Sequence, residues 1–347
     1  MRHAAVRPIR TVTVGLGLAL LVGCTEAGSD RPGAGPPAAS TPTPTLSATL
    51  PSTPSSPASS SPASSPSATG PSATGAASAR TDVDRVLATI RTLSERIGPR
   101  EATSVAYRRA AELVEGRLRA FGFRVHRQAV RVPAGISWGV PVPAGRTRNV
   151  VAEPPGFDPA RPHLIVGAHL DTVPQAPGAE DNASGVAVML ETARLAADTP
   201  PVVPVVFVAF AAEEPRGDGD DRHHYGSRAF VAGLDRAERR ALLGMISLDR
   251  VGVGARVPVC TGGLGPETVA GRLARVARRM DIAVRRCADN RASDHWSFER
   301  AGLAAARIGS TPYPEYHSAA DRISVVQRRQ LSRVARLLNE ALRTWPG

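Results

Sequence analysis

The central part of the chain contains short apolar runs that are separated by stretches with helical periodicity. The runs occupy residues 163–168, 205–210 and 245–248, and residues 185–197 form one of the helical stretches between them. Continuous apolar runs of this length are typical of strands that are buried on both faces of a sheet. The pattern predicts an α/β fold in which a mostly parallel, mixed sheet is sandwiched between helices.

Further elements are predicted on both sides of this centre. Apolar residues between positions 83 and 97 recur at helical spacing, and a second helical pattern begins near Thr103. Extended segments are expected at 125–132 and 149–152, and a last helix at 325–342. Helices therefore precede, separate and follow the strands, as an α/β domain requires.

The first 23 residues have the pattern of a secretory signal peptide. Three arginines within the first ten residues are followed by an apolar segment that is too short to span a bilayer stably. The segment ends in Leu-Val-Gly before Cys24, which resembles the lipobox of bacterial lipoproteins. That resemblance implies that residues 1–23 are removed and that Cys24 carries a lipid.

Residues 24–80 are rich in Pro, Ser, Thr and Ala, and no charged residue lies between Arg31 and Arg80. Such a segment has too little apolar surface to offset the entropy of ordering it, so we expect a disordered tether. Residues 81–347 then form the folded domain, with a plausible size for one α/β unit. The predicted location is the outer side of the cell membrane, or the medium if Cys24 is not lipidated.

Charge and composition exclude two other classes of protein. The chain has 43 basic and 31 acidic residues, a net charge of +12, and every basic residue is arginine. Arginine pairs are scattered over separate segments and aromatic residues make up only 4 %, which argues against a nucleic-acid partner. No uninterrupted apolar run reaches about 18 residues, which excludes a protein with several membrane spans.

Each of the three apolar runs is followed by residue types that bind metals. His169 and Asp171 follow the first run, Glu213 and Glu214 the second, and Asp249 the third. In an open parallel sheet, ligands bind in the crevice beyond the carboxyl ends of the strands. Each residue alone has an ordinary structural explanation, such as a capping carboxylate. Together they indicate a metal site.

Two more motifs complete a pattern that resembles a known family. Glu-Asp-Asn-Ala-Ser-Gly surrounds Asp181, and Tyr-His-Ser-Ala-Ala-Asp contains Tyr316 and His317. Together with Gly-Ala-His-Leu-Asp, Ala-Glu-Glu and Ser-Leu-Asp, in this order, they resemble the M28 family of co-catalytic zinc aminopeptidases across residues 82–345. Each motif alone is a weak signal, whereas all of them in family order are specific.

The resemblance implies a metal ligand at five matched positions. One zinc ion would be bound by His169 and Asp249 and a second by Glu214 and His317, with Asp181 bridging the two. Such a mixture of imidazole and carboxylate ligands suits zinc. Two ions in one site can clamp the attacking and the developing oxygen together.

The resemblance also implies roles beside the ions. Glu213 would be the general base that takes a proton from a shared water and delivers it to the leaving amine. Asp171 would orient the imidazole of His169. The hydroxyl of Tyr316 would stabilise the tetrahedral oxyanion.

Three features have more than one interpretation. The loop after Glu214 is longer than in many relatives, and we expect its His223 and His224 to lie in solvent, with contact to substrate or an extra ion as the alternative. Arg250 either binds a substrate carboxylate or pairs with a neighbouring acid. Cys260 and Cys287 are the cysteines of the predicted domain, and they form a possible disulfide in an oxidising compartment.

The sequence therefore predicts an extracytoplasmic, membrane-tethered aminopeptidase with two zinc ions that acts on peptides with free N-termini. A single-zinc enzyme resembling glutaminyl cyclases is one alternative, and a non-catalytic binding domain on the same fold is another. The filled ligand positions and the presence of Glu213 favour the peptidase, because the alternatives typically lack part of this set.

Overall fold

The fold is described from a computed structural model, which describes residues 81–346. The predicted signal peptide at 1–23, Cys24 and the predicted tether at 24–80 lie outside the described residues. Among residues 81–346, no helix combines the length and the apolar character that crossing a membrane would require.

The helices follow the predicted periodicity, and polar side chains cap several of them. Asp82 accepts hydrogen bonds from the backbone N–H of Asp84 and Arg85, and Ser104 accepts one from Tyr107. In chain order the helices are α1 (Val83–Arg91), α2 (Val105–Ala120), α3 (Gly185–Asp198), α4 (Tyr225–Gly233), α5 (Arg236–Ala241), α6 (Thr268–Arg279), α7 (His295–Arg300) and α8 (Arg328–Arg343). Two π-helical turns (Thr92–Ile97 and Ala179–Ser184) and a 3₁₀ turn (Ile323–Val325) complete the set.

Eight strands form one mixed sheet, and a two-stranded hairpin lies apart from it in the described residues. In chain order the strands are β1 (Arg124–Val132), β2 (Gly135–Ser137), β3 (Val140–Val142), β4 (Gly145–Glu153), β5 (His163–His169), β6 (Val205–Phe210), β7 (Leu242–Leu248), β8 (Val257–Cys260), β9 (Val284–Cys287) and β10 (Ala305–Ile308). The order in the large sheet is β1-β4-β6-β5-β7-β10-β8-β9.

The centre of the sheet is parallel and both of its sides contain antiparallel pairs. β6, β5, β7 and β10 run in the same direction, β4 is antiparallel to β1 and β6, and β8 is antiparallel to β10. β9 is parallel to β8. The predicted mixed sheet of mostly parallel strands is confirmed.

Helices cover both faces of the sheet, because alternate strand residues point to opposite sides. Leu164 and Val166 of β5 face a large core cluster that includes residues of α1, α2, α3, α6 and α8. Ile165 between them faces a smaller cluster that includes residues of α4 and α7. This arrangement explains why β5, β6 and β7 are apolar at most positions.

The two outer strands of the sheet differ from the central strands in composition. Strand β1 has exposed arginines at Arg124, Arg127 and Arg131, and the four-residue strand β9 has them at Arg285 and Arg286. A disulfide joins the last residue of β8 to the last residue of β9, whose Cα atoms are 4.5 Å apart. The structure thus pairs the two cysteines of the domain at one edge of the sheet.

Candidate active site

Three neighbouring parallel strands direct the predicted residues to one end of the sheet. His169 is the last residue of β5, Glu213 and Glu214 follow β6, and Asp249 follows β7 directly. All four side chains are buried. The sequence therefore predicted their convergence correctly, because the carboxyl ends of adjacent parallel strands meet at the same edge.

The two remaining predicted ligands reach the same place from loops. Asp181 lies in the π-helical turn before α3, and His317 lies in the loop between β10 and the 3₁₀ turn. The carboxylate of Asp321 connects these segments, because it accepts hydrogen bonds from the backbone N–H of Glu180 (2.8 Å) and Asp181 (3.1 Å). The final Asp of the Tyr-His motif therefore holds the Asp181 segment in place.

Asp181 stands between the two histidines. Its Oδ1 lies 3.2 Å from Nε2 of His169, and its Oδ2 lies 3.0 Å from Nε2 of His317. On the outer sides, Asp249 Oδ1 lies 3.6 Å from Nε2 of His169, and Glu214 Oε2 lies 3.3 Å from Nε2 of His317. The five residues form two groups that share one carboxylate.

The donor atoms of these groups fit a metal centre. In each of the sets His169–Asp181–Asp249 and Asp181–Glu214–His317, one donor atom per residue lies within 4.8 Å of the others. Glu214 Oε1, Asp249 Oδ1 and His317 Nε2 are buried and have no hydrogen-bond partner within the described residues. Buried polar atoms normally have partners, so these three are available for a cation. Imidazole and carboxylate donors together are typical of zinc sites.

The close carboxylates perturb each other in the metal-free chain. Burial raises the pKa of Glu213 to about 8 and that of Glu214 to about 7. Burial lowers the pKa of His317, but the negative charge of Glu214 outweighs this and raises it to about 10. Burial likewise opposes ionisation of Asp249, yet the Arg307 guanidinium and His169 hold the Asp249 pKa below its usual range. The site therefore concentrates negative charge that a cation would neutralise.

Asp171 contacts the backbone that follows β6 as well as the imidazole of His169. Its carboxylate accepts hydrogen bonds from the backbone N–H of Glu213 (3.1 Å) and Glu214 (3.2 Å). Its Oδ1 lies 3.8 Å from Nδ1 of His169, beyond hydrogen-bond distance, whereas its backbone carbonyl lies 3.2 Å from that nitrogen. The expected orientation of His169 thus comes from the carbonyl, and the carboxylate is used to fix the two glutamates.

Aromatic rings surround His317. The ring of Tyr316 stacks on it with 3.6 Å between centroids, and the indole of Trp138 approaches it edge-on at 4.3 Å. Trp138 is 53 % exposed and lies at the turn between β2 and β3. Arg216, which follows Glu214 closely, fastens this hairpin by donating to the carbonyls of Pro133 (2.8 Å) and Pro143 (2.7 Å).

Arg250 pairs with groups of the protein, which agrees with one of the two interpretations given above. Its guanidinium lies 4.2 Å from the ring centroid of Tyr316, and its Nε lies 3.7 Å from Asp249 Oδ1. Its Nη2 donates to Ser310 Oγ at 3.0 Å. Arg250 adopts a φ of 55°, in the left-handed region that residues with a Cβ rarely occupy. Such backbone strain is often found next to functional groups.

Sequence reasoning missed Arg307 of β10. Its side chain is buried, and its Nη2 lies 2.8 Å from Asp249 Oδ2. Its Nη1 donates to Asn290 Oδ1 (2.9 Å) and to the carbonyl of Ala292 (2.6 Å). An arginine within an apolar run was the available signal, because such a charge requires a buried partner.

The expectation that His224 lies in solvent is wrong. Its imidazole is buried, and its Nε2 lies 3.1 Å from Oε1 of Glu213. The reason is that the chain returns to the end of β6 after the long loop, which the sequence did not indicate. His223 is partly exposed, and its Nδ1 lies 2.9 Å from Nε2 of His224.

Comparison of the sequence with protein families gives a match to peptidase family M28 over residues 149–342. Aminopeptidase YwaD of Bacillus subtilis is 30 % identical over 191 residues, which are 52 % of this chain and 40 % of YwaD. The probable lipoprotein aminopeptidase LpqL of Mycobacterium tuberculosis is 35 % identical over 117 residues, which are 34 % of this chain and 22 % of LpqL. The chain therefore spans less than half of the length of these relatives.

Solved structures with the same fold include enzymes of two kinds. BSAP, a zinc aminopeptidase from Bacillus subtilis, has a TM-score of 0.66 and 19 % identity, with 75 % of this chain and 94 % of that chain covered. A Bacteroides thetaiotaomicron glutaminyl cyclase bound to N-acetylhistamine also has a TM-score of 0.66 and 19 % identity, with 77 % and 99 % covered. At this level of identity the similarity concerns the fold alone.

Proposed function

The chain belongs to peptidase family M28, and from that premise we propose that it is a zinc aminopeptidase that removes N-terminal residues from peptides. The observation that carries the proposal is the placement of Asp181 between His169 and His317, with one oxygen toward each imidazole. A carboxylate in this position is suited to bridge two cations. The relative YwaD, which is named an aminopeptidase, supports the same reaction class.

Two zinc ions are proposed, one at His169 and Asp249 and the other at Glu214 and His317, with Asp181 shared. When bound, zinc would polarise the scissile carbonyl and make water a better nucleophile. The protein side chains would do the remaining work. The side chains proposed for this work lie at the same end of the sheet as the donor atoms that have no hydrogen-bond partner in the described residues.

Glu213 is proposed as the general base. It is buried beside the ligands, and its backbone N–H is fixed by Asp171 at 3.1 Å. The carboxylate would take a proton from the attacking water and pass it to the amine that leaves. Burial raises the pKa of Glu213 to about 8 in the metal-free chain, so the side chain holds a proton readily once it has accepted one.

Tyr316 is proposed to donate its hydroxyl proton as a hydrogen bond to the oxyanion. Burial raises the pKa of this phenol above its usual value, so the group remains protonated at neutral pH. Its ring is held between His317 and Arg250. A neutral donor held in this way needs little reorganisation when charge develops on the substrate.

The test uses the purified chain and a peptide library in which half of the N-termini are free and half are acetylated. Stepwise loss of N-terminal residues from the free peptides alone, abolished by a chelator and restored by zinc, is the expected result. Glu213→Gln should lose this activity while keeping its zinc content. Glu95→Gln, which changes an exposed glutamate outside the site, is the matched control and should remain active. Full activity of Glu213→Gln would refute the proposed base.

A second candidate function follows from the similarity to a glutaminyl cyclase fold. Peptides with N-terminal glutamine distinguish the two reactions, because a cyclase releases ammonia and leaves a blocked peptide, whereas an aminopeptidase releases free glutamine. Metal analysis adds a second criterion, since the peptidase proposal requires two zinc ions per chain. Binding of peptides without turnover would instead favour a non-catalytic binding domain.

The proposed location is the outer side of the cell membrane, with Cys24 as the lipid-bearing residue. The resemblance of residues 21–24 to a lipobox and the relative LpqL, named a probable lipoprotein aminopeptidase, support this. Metabolic labelling with a fatty acid should mark the wild-type protein and not Cys24→Ala. Release of unlabelled wild-type protein into the medium would contradict the anchor.

A further inference from the structure

The long loop after Glu214 returns to the chain segment from which it departed. The backbone N–H of His224 donates to the carbonyl of Glu213 (2.9 Å), and that of Tyr225 donates to the carbonyl of Ala212 (2.8 Å). His224 adopts a φ of 59°, a conformation that a residue with a Cβ rarely adopts without support. The returning segment therefore lies directly alongside the proposed base.

A further residue fastens this return. Asn149 of β4 accepts a hydrogen bond from the backbone N–H of Ala211 (2.9 Å) and donates to the carbonyl of Gly226 (2.9 Å). A side chain at position 226 would meet the carbonyl oxygen of Ala211 at 2.2 Å and the side chain of Asn149 at 2.5 Å, so only glycine fits there. The end of β6 and the start of α4 are thus held together next to His224.

The imidazole of His224 is positioned for one particular contact. Its Nε2 lies 3.1 Å from Oε1 of Glu213, and the side chain is buried. Burial lowers the pKa of His224 to about 3, so the ring is neutral and carries a single N–H proton. A carboxylate accepts that proton as a hydrogen bond when it is on Nε2. His223 approaches the same nitrogen and has no ion-pair contact with Glu213 in the described residues.

We propose that His224 is a positioning residue for Glu213, whose Oε1 it holds by hydrogen bonding so that the other carboxylate oxygen faces the attacking water. The inference rests on the proposed function, because it assigns the work of proton transfer to Glu213. A glutamate side chain has three rotatable bonds, and its backbone alone does not fix its carboxylate. The hydrogen bond from His224 selects one orientation, which reduces the reorganisation needed at the moment of proton transfer.

The test compares two replacements of similar length in the full chain. In His224→Gln the side-chain amide can still donate to Glu213, whereas in His224→Met it cannot. His224→Met should lower kcat by about 10–100-fold with KM changed by less than about twofold, because orientation and not substrate binding is lost. His224→Gln should recover most of kcat. His126→Met, at an exposed histidine of β1 that forms no ion pair with Glu213 in the described residues, is the matched control and should keep kcat within about threefold of wild type.

A double-mutant cycle separates positioning from general damage. If His224 acts through Glu213, adding His224→Met to Glu213→Gln should not lower the residual rate further. Zinc content and the thermal midpoint of each variant show whether the site and the fold are intact.

The other possible results contradict either the positioning role of His224 or the proposed function. Equal kcat for His224→Met and wild type would refute the positioning role while leaving the proposed function standing. Equal losses in His224→Met and His224→Gln, or a further loss in the double variant, would also refute it. A wild-type chain without peptidase activity, or an active Glu213→Gln, would overturn the proposed function and this inference with it.

Discussion

Replacement of Arg307 by methionine should cost the metal-free protein much more stability than the zinc-loaded protein. The guanidinium lies 2.8 Å from Asp249 Oδ2, and both partners are buried. Removing one partner of a buried ion pair leaves the other charge uncompensated, which costs about 3 kcal/mol or more. The oxygens of Asn290 and Ala292 also lose their donor, at about 1 kcal/mol each.

The expected loss in chelator is therefore about 5 kcal/mol, which lowers the thermal midpoint of a domain of this size by about 10–20 °C. With zinc bound, the positive charge of the ion takes the place of the Arg307 guanidinium beside the Asp249 carboxylate. The remaining loss is then about 2 kcal/mol, from the two hydrogen bonds alone. That loss corresponds to a shift of about 4–8 °C.

Differential scanning calorimetry in chelator and in zinc measures both losses. Arg117→Met is the control, because Arg117 is a partly buried arginine of α2 that donates to Thr89 Oγ1 (2.5 Å) and, within the described part of the chain, pairs with no acid of the site. Its loss should be the same under both conditions. If Arg307→Met loses as much stability with zinc as without it, Asp249 does not face the cation and the proposed ligand set is wrong.

Three other measurements test further parts of the structure. Zinc affinity should rise about tenfold per pH unit from pH 7 to 9, because zinc must displace the proton that His317, with a pKa of about 10, still holds in the metal-free chain. Titration calorimetry in buffers of different ionisation enthalpy detects the released proton. A zinc affinity that is independent of pH would contradict this prediction. Trp138→Ala should raise KM by about 3–10-fold with little change in kcat, since the half-exposed indole borders His317; unchanged steady-state kinetics would exclude a contact with substrate. Replacing Cys260 and Cys287 by alanine should lower the free energy of unfolding by about 3 kcal/mol, as expected for a disulfide that closes a loop with a sequence separation of 27. A reductant should lower the stability of the wild type but not of this variant.

The sequence predicted the central strands and the convergence of the residues that follow them, because both depend on local patterns. Strands buried on both faces are largely apolar, so β5, β6 and β7 appear as nearly continuous apolar runs. Parallel neighbours end at the same edge, so residues that follow these runs, such as His169 and Asp249, must lie close together. The last helix was also expected, although it begins at Arg328 because residues 323–325 form a 3₁₀ turn.

The supporting residues were not predictable in the same way. Arg307 and Trp138 are far in sequence from the groups that they contact, and His224 reaches Glu213 only through the return of a loop. The 3.1 Å contact of His224 with Glu213 exists because the loop after Glu214 returns to the end of β6. The hydrophobic periodicity of the sequence does not indicate such a return. Strand β10 was missed since it is short and contains an arginine, which is uncommon in a buried strand.

The arginines of β1 and β9 have a consequence for the behaviour of the protein at high local concentration. The outer strands of an open sheet offer unpaired backbone groups to which another extended chain can add, and such strand addition begins aggregation. Three of these edge arginines pair with glutamates, Arg124 with Glu153, Arg127 with Glu115 and Arg286 with Glu267. Arg131 and Arg285 form no ion pair in the described residues, so the approach of a second edge would bring their positive charges together, and β9 is only four residues long. Positive charge at the edges of the sheet thus opposes aggregation. Apolar substitutions at these arginines would promote association between copies without disturbing the site.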